Sequence, residues 1–215
     1  MAAELLIVGT SGLAREAAQL ARQIDPAASR WQLISFVAEN DSQLSQRLSY
    51  GEVRLTDAML LNRTEPADVV IGIGHPKIRR RIVQQLEAQP QLTFPNLIHP
   101  SVEMDMTCVS LGQGNIITKG VVMTCDIVIG DFNLINWNTT IGHDVRIGSC
   151  NVVNPGCNLS GFVVVGDDCL IGTGTQVLEH CSISSGVIVG AGAVVTRSLA
   201  QVGTYVGIPA RELTC

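Results

Sequence analysis

The sequence predicts a chain of two parts: a small parallel α/β domain, Rossmann-like in pattern, followed by a parallel β-helix. Three observations carry that expectation. Strand and helix patterns alternate through the first 96 residues, and an aliphatic residue then recurs at every sixth position from Leu111 onward. The composition is rich in glycine, with 21 residues, and only 4% aromatic. That balance suits a regular, tightly turning β architecture better than a helical bundle. A length of 215 residues fits one large domain or two small ones.

The first part reads in order. ELLIVG (4–9) is a short apolar strand ending in Gly, and TSGLAREAAQLARQI follows with Ala, Leu and Ile at helical spacing. WQLISFV (31–37) is a second strand, and a helical stretch surrounds TDAMLLNR (56–63). ADVVIGIG (67–74) is a third strand, leading into a helix over PKIRRRIVQQLEA (76–88) with Pro76 in its first turn. Such alternation argues for a parallel sheet with right-handed crossovers. LTFPNLIHP leads out, punctuated by Pro90, Pro95 and Pro100. The boundary therefore falls near residue 97, with domains expected at 1–96 and 97–215.

In the second part, fifteen aliphatic marks fall in phase without an insertion, from Leu111, Ile117 and Met123 through to Val189 and Val195. Seven of the first fourteen are followed directly by Gly, at 112, 130, 142, 148, 166, 172 and 190. Two places before each mark the residue is mostly small or β-branched, as in Val121, Thr139, Cys157, Cys169 and Ala193. This is a hexapeptide repeat, the signature of a parallel β-helix. Three hexads make one triangular coil, and successive coils stack about 4.8 Å apart. The marks point inward, and so do the residues two places before them. Cys157, Cys169 and Cys181 are thus expected as small core fillers, and each Gly after a mark is expected to permit a tight corner.

Charge and composition exclude several classes. Residues 1–100 carry ten basic and ten acidic side chains, and residues 101–215 carry four and nine. Neither half offers the basic surface that nucleic acid needs. No run of about 18 apolar residues could span a membrane. MAAELLIVG reads as the first strand of a domain, not as a leader. The seven cysteines are scattered without a CxxC pair, which suggests reduced thiols in a cytoplasmic protein and no zinc site or other metal.

IGHDVRIG (141–148) holds two aliphatic–Gly pairs six residues apart with His143 and Asp144 between them. His143 is two places after a mark, at a corner slot that points outward, so it is not a buried core histidine. His180 occupies the neighbouring corner slot, three after Val177, and reads as a solvated residue with no partner that the sequence reveals.

IGHDVRIG, the preceding INWNTTIGHD, LIHPSV (97–102), the glycine-rich turn GTSGLAR (9–15) and the closing YVGIPAREL together resemble the NeuD/PglD family across essentially the whole chain. The resemblance implies a left-handed β-helix and an acetyltransferase. Such enzymes move acetyl from acetyl-CoA to the amine of a nucleotide-linked amino sugar, usually a UDP- or dTDP-linked 4-amino-4,6-dideoxy sugar, or to a hydroxyl of sialic acid. It also implies a homotrimer with acetyl-CoA bound between subunits. Carried over, His143 matches the general base and Asp144 the acidic residue after it. An imidazole ionises near neutral pH, and a positioned base contributes about 10²–10⁴-fold. A carboxylate on the other ring nitrogen would fix its tautomer, provided the corner bends the two adjacent residues together.

Gly161, eighteen residues beyond His143, matches the family's backbone donor to the developing oxyanion. Asn136 matches an asparagine close to the base. Gly207 and Pro209 match the segment that closes the β-helix and contributes to the CoA site. The chain departs from the family nine residues after the base. Many relatives carry a second histidine there, and this chain has Val152, flanked by Asn151 and Asn154 as possible replacements.

In the first part, Gly9, Ser11 and Gly12 of GTSGLAR open a helix, whose amides and dipole make an anion site suited to a pyrophosphate. Some relatives carry His where Leu13 stands. IGIGHPKIRRRI (71–82) is the second family match, with Gly74 ending the third strand and Lys77 able to meet phosphate. Arg79–Arg81 read as a solvated helix face. FVAEND (36–41) offers Glu39, Asn40 and Asp41 near base and ribose.

Three other readings remain open. A serine-acetyltransferase-like enzyme would ordinarily begin with a helical domain, not an α/β one. A γ-type carbonic anhydrase needs three converging histidines, and the repeat supplies His143 and His180 alone. A non-catalytic sugar-nucleotide-binding protein would have no use for His143, Asp144 and Gly161 together.

Overall fold

The computed structural model describes residues 3–213. The start of MAAELLIVG and the seventh cysteine, Cys215, lie outside the described residues. The chain divides into two compact units. One runs to Gly74 and resumes from Ile78 to Leu97, and the other comprises His75–Lys77 and the chain from Ile98 onward.

The first unit is an α/β sheet. Its elements are β1 (Ala3–Val8), α1 (Gly12–Ile24), β2 (Trp31–Ala38), β3 (Arg47–Leu48), β4 (Gly51–Thr56), α2 (Asp57–Leu61), β5 (Ala67–Ile71), α3 (Pro76–Leu86) and β6 (Leu92–Thr93). The strand order is β3-β4-β2-β1-β5-β6. β1 pairs in parallel with β2 and β5, while β3 is an antiparallel edge strand on β4. The expected alternation missed β3, β4 and β6. β3 and β6 are two residues long and carry no readable period. Buried Leu5, Leu6, Ile7, Val69, Val70 and Ile71 fill the central strands, and Ala14, Ala17, Ala18 and Ala21 let α1 pack closely on them. After α1, the Asp25 carboxylate accepts hydrogen bonds from the backbone N–H groups of Ser29, Arg30 and Trp31. Those bonds, the one from Trp31 foremost, lower its pKa to about 2.

The second unit is the left-handed β-helix of hexapeptide repeats. β7 (Leu97–Ile98) leads into fifteen short strands, from Val109–Leu111 to Val194–Val195, and each ends on one of the aliphatic marks. The strands form three parallel faces. The first face stacks Val122–Met123, Thr140–Ile141, Asn158–Leu159, Gln176–Val177 and Val194–Val195. The second stacks Val109–Leu111, Ile127–Ile129, Arg146–Ile147, Val164–Val165 and Ser182–Ile183. The third runs from Ile116–Ile117 to Ile188–Val189 and is closed by Thr204–Val206 and the antiparallel strand Arg211–Glu212. Pairing joins residues 18 apart, as in Ile141↔Leu159.

The marks from Ile117 to Val195 are buried, and Leu111 packs at the margin of the same core. Burying an aliphatic side chain of this size contributes about 1.5–3 kcal/mol. Cys157, Cys169 and Cys181 lie in this core, and burial pushes the Cys157 and Cys169 thiols up to about 11. They are inert filler. Asn115, Asn133 and Asn151 occupy the same inward slot on the third face, and all are fully buried. They form a ladder. The Asn133 backbone N–H donates to Asn115 Oδ1, that of Asn151 to Asn133 Oδ1, and that of Cys169 to Asn151 Oδ1.

The corners differ from the expectation in one respect. The glycines that follow the marks are not the residues with unusual φ. Every sixth residue from Gly114 to Gly192 has φ between +54 and +77°, and these lie three places after a mark. Gly after a mark serves close stacking instead: a Cβ on Gly142 would lie 2.8 Å from the Gly161 nitrogen in the next coil.

Candidate active site

His143 and Asp144 sit at the corner between Thr140–Ile141 of the first face and Arg146–Ile147 of the second. Adjacent residues on an extended chain point apart. Here Asp144 adopts φ +59°, and that left-handed kink swings its side chain back toward His143. His143 Nδ1 lies 2.9 Å from Asp144 Oδ2, with the side chains 47% and 42% exposed. An ionised carboxylate only accepts hydrogen bonds, so in the neutral imidazole this contact puts the proton on Nδ1 and the lone pair on Nε2. The corner's backbone is pinned between coils: Asp144 N–H donates to Cys125 O, and Phe162 N–H to His143 O.

Gly161 lies on the same corner one coil further along. A Cβ there would fall 2.6 Å from His143 Cε1 and 2.7 Å from Nε2, so the imidazole rests against the bare Gly161 backbone. The Gly161 N–H makes no hydrogen bond among the described residues. Two aromatic rings complete the corner. Phe162 meets the His143 ring edge-on, with centroids 5.2 Å apart and planes at 86°. His180 stacks on Phe162 at 4.7 Å with planes 13° apart. His180 is therefore partnered, contrary to its reading as an isolated solvated residue. The signal was present in the period, since Asp144, Phe162 and His180 all lie three places after a mark.

The other residues singled out on the β-helix lie elsewhere. Asn136 is on the corner between the third and first faces, 8% exposed, where its Oδ1 accepts the Trp137 N–H. In its own chain it is one face away from His143. Val152 is buried on the third face, and Asn151 is fully buried in the ladder, so neither can meet substrate. Asn154 is partly buried on the Asn136 corner. Gly207, at φ +90°, and the cis Ile208–Pro209 peptide arch over the end of the first face, where Val194 N–H donates to Gly207 O.

The first unit holds a separate cleft of about 510 Å³ at the carboxyl ends of its strands. The chain reverses direction beside β1 in the strand order, and open α/β sheets bind ligands outside the strand ends at such a switch point. Gly9, Thr10 and Ser11 line the cleft at the start of α1, and Glu39 and Gln43 line it after β2. Gly9 has φ +107°, and a Cβ there would press to 2.9 Å from Ile73. Gly12 begins α1 with open space around it. Ser11 is the N-cap, but its side chain makes no capping bond, which leaves the helix end open to an anion. Asn40 instead caps the turn Asp41–Gln43.

Gly74 and Lys77 are exposed and do not line the cleft. Arg81 and Asp57, which sequence reasoning passed over, do line it. The reading of Arg79–Arg81 as a solvated face fails twice. Arg79 is fully buried, with Nε donating to Ile73 O, and Arg81 looks into the cleft because α3 turns that face toward the strand ends. Burial, then the negative charge of Glu39, raises the Asp57 carboxyl above its ordinary range, and Arg81 opposes the shift.

Residues 4–86 match the PglD N-terminal domain model, and residues 162–197 match the bacterial transferase hexapeptide model of six repeats. No curated protein matches the chain significantly. Among solved structures, the chain is similar to the acetyltransferase domain of PglB from Neisseria gonorrhoeae in complex with acetyl coenzyme A. The two are 27% identical over 99% of this chain and 100% of that one, with a TM-score of 0.89. It is also similar to a histidine-to-asparagine mutant of perosamine N-acetyltransferase from Caulobacter crescentus in complex with CoA and GDP-perosamine. There the identity is 25% over 99% and 97% of the two chains, with a TM-score of 0.86. WeeI from Acinetobacter baumannii is 28% identical over 98% and 99%, with a TM-score of 0.84. These matches bear out the resemblance to the NeuD/PglD family.

Proposed function

We propose that this chain is an acetyl-CoA-dependent N-acetyltransferase acting on the amine of a nucleotide-linked amino sugar, with His143 as general base. The observation that carries the reading is the 2.9 Å contact between His143 Nδ1 and Asp144 on an exposed corner beside the unpaired Gly161 N–H. The acceptor amine attacks the thioester carbonyl carbon while His143 Nε2 takes its proton. Asp144 stabilises the imidazolium. The Gly161 N–H meets the oxygen that becomes negative in the tetrahedral intermediate. Collapse breaks the C–S bond, and the imidazolium returns its proton to the departing CoA thiolate.

The cleft of the first unit binds the nucleotide portion. The open end of α1 at Gly9–Gly12 and the Arg81 guanidinium take the diphosphate, and Glu39 takes a ribose hydroxyl. The nucleotide is UDP or dTDP, the family's usual carriers, or GDP as in the Caulobacter relative. An exposed corner builds only half of an acyl-CoA site. Three copies packed side by side complete it, with CoA lying between neighbours and Asn136, Gly207 and Pro209 contributing to its walls. The six described cysteines are free thiols, as suits the cytoplasm, where acetyl-CoA is found.

The test is release of CoA from acetyl-CoA across UDP-, dTDP- and GDP-linked amino sugars, with His143→Ala beside the wild type. Turnover with one acceptor that the variant loses by about 10²-fold or more supports the base and names the sugar. A His143→Ala enzyme as fast as wild type ends the assignment. Reaction of hydroxyl but not amine acceptors would make this an O-acetyltransferase.

A further inference from the structure

The corner that carries His143 also carries a phenylalanine in an unfavourable conformation. Phe162 has φ +59°, a region that a bulky L-residue rarely enters. Phe132, at an equivalent slot on another corner, has φ +54° but is 2% exposed, so burial of its ring compensates. Phe162 is 45% exposed and lacks that compensation. Its ring contacts are instead two imidazoles, His143 edge-on at 5.2 Å and His180 face-to-face at 4.7 Å. His180 shares the left-handed conformation, at φ +60°, and its N–H donates to Gly161 O. Strained backbone retained at low burial marks a position held for something other than stability.

We propose that Phe162 is a positioning residue for His143. Its ring, backed by His180, confines the imidazole against Asp144 and the Gly161 backbone so that Nε2 faces the acceptor in one tautomer. The inference rests on His143 being the base. An exposed imidazole held by a single hydrogen bond is free to turn about its Cβ–Cγ bond and swing away. Asp144 fixes one nitrogen, Gly161 supports the ring, and Phe162 closes the remaining side. His180 holds Phe162 and does not itself touch the reacting atoms.

The test compares Phe162→Gly and Phe162→Tyr with the wild type in two readouts. Glycine accepts the backbone conformation without strain, so the variant folds, and any loss is not one of stability. In acetyl transfer, kcat of Phe162→Gly is expected to fall about tenfold or more while KM for acetyl-CoA stays within about twofold, and Phe162→Tyr recovers most of the rate. Long-range ¹H–¹⁵N NMR of the His143 ring, assigned with His143→Ala, is expected to show a single Nδ1–H tautomer in wild type and Phe162→Tyr. A tautomer mixture is expected in Phe162→Gly. The proposal is overturned if Phe162→Gly keeps the wild-type tautomer, whatever its rate, since the ring would then touch ligand without positioning the base. It is equally overturned if kcat is unchanged. If no acceptor reacts with any variant, the acetyltransferase reading fails, and the NMR readout still decides whether Phe162 holds the imidazole.

Discussion

Replacing Gly161 with Ala separates the chemistry of the corner from its folding. The added Cβ would lie 2.6 Å from His143 Cε1 and 2.7 Å from Nε2. Carbon atoms in comfortable contact stand about 3.5–4.0 Å apart, so the ring must retreat by roughly 1 Å. A misplacement of about 1 Å at a reacting group costs on the order of 10²-fold in rate. Folding is expected to suffer little. Gly161 does not have positive φ, so Ala meets no backbone strain there, and what must move is an exposed side chain. Ala also restricts the unfolded chain, which stabilises by about 0.4–1 kcal/mol. The expected outcome is a kcat down about 100-fold with a melting temperature equal to or slightly above wild type. CoA-release kinetics and calorimetry measure the two. A variant within threefold of wild-type kcat would refute the placement of His143 against Gly161. A large fall in melting temperature would refute the claim that only a side chain is displaced.

Other expectations follow from the same structure. The Asp25 carboxylate has its pKa lowered to about 2 by backbone N–H donors, so its contribution is fully present above the unfolded value of about 3.9 and is lost as pH falls toward 2. Denaturant titrations between those limits should show wild type converging on Asp25→Ala, and a constant gap would contradict the linkage. Asn133→Ala removes the buried acceptor of the Asn151 N–H and should destabilise by about 1–3 kcal/mol, or roughly 2–4 °C per kcal/mol in melting temperature. An unchanged midpoint would show the ladder to be dispensable. Arg81→Ala should weaken nucleoside diphosphate binding by about tenfold, near 1.4 kcal/mol, in calorimetric titration, with acetyl-CoA binding unaffected. Equal losses for both ligands would remove Arg81 from the nucleotide cleft.

The sequence alone determined the architecture of this protein and singled out His143 as its candidate base. A six-residue period is imposed by the coil itself, so each mark announces a strand end turned to the core, and phase alone puts His143 outward. The strand–helix alternation likewise placed the Gly9–Gly12 turn at the head of α1. Tertiary structure alone decided which residues meet. Left-handed φ at Asp144 is a property of the corner, invisible in a hydrophobic pattern, yet it brings the carboxylate onto His143. Phe162 and His180 are 18 residues apart and touch because coils stack. Gly161 read as a bare backbone donor, and only stacking shows that it also makes room for the imidazole. Lys77 and Arg81 are four residues apart and share a helix face, yet only Arg81 lines the cleft, a difference that their spacing does not record. Periodicity records which side of an element is buried. Contacts between distant residues depend on how coils and helices pack, and the sequence carries no local mark of that.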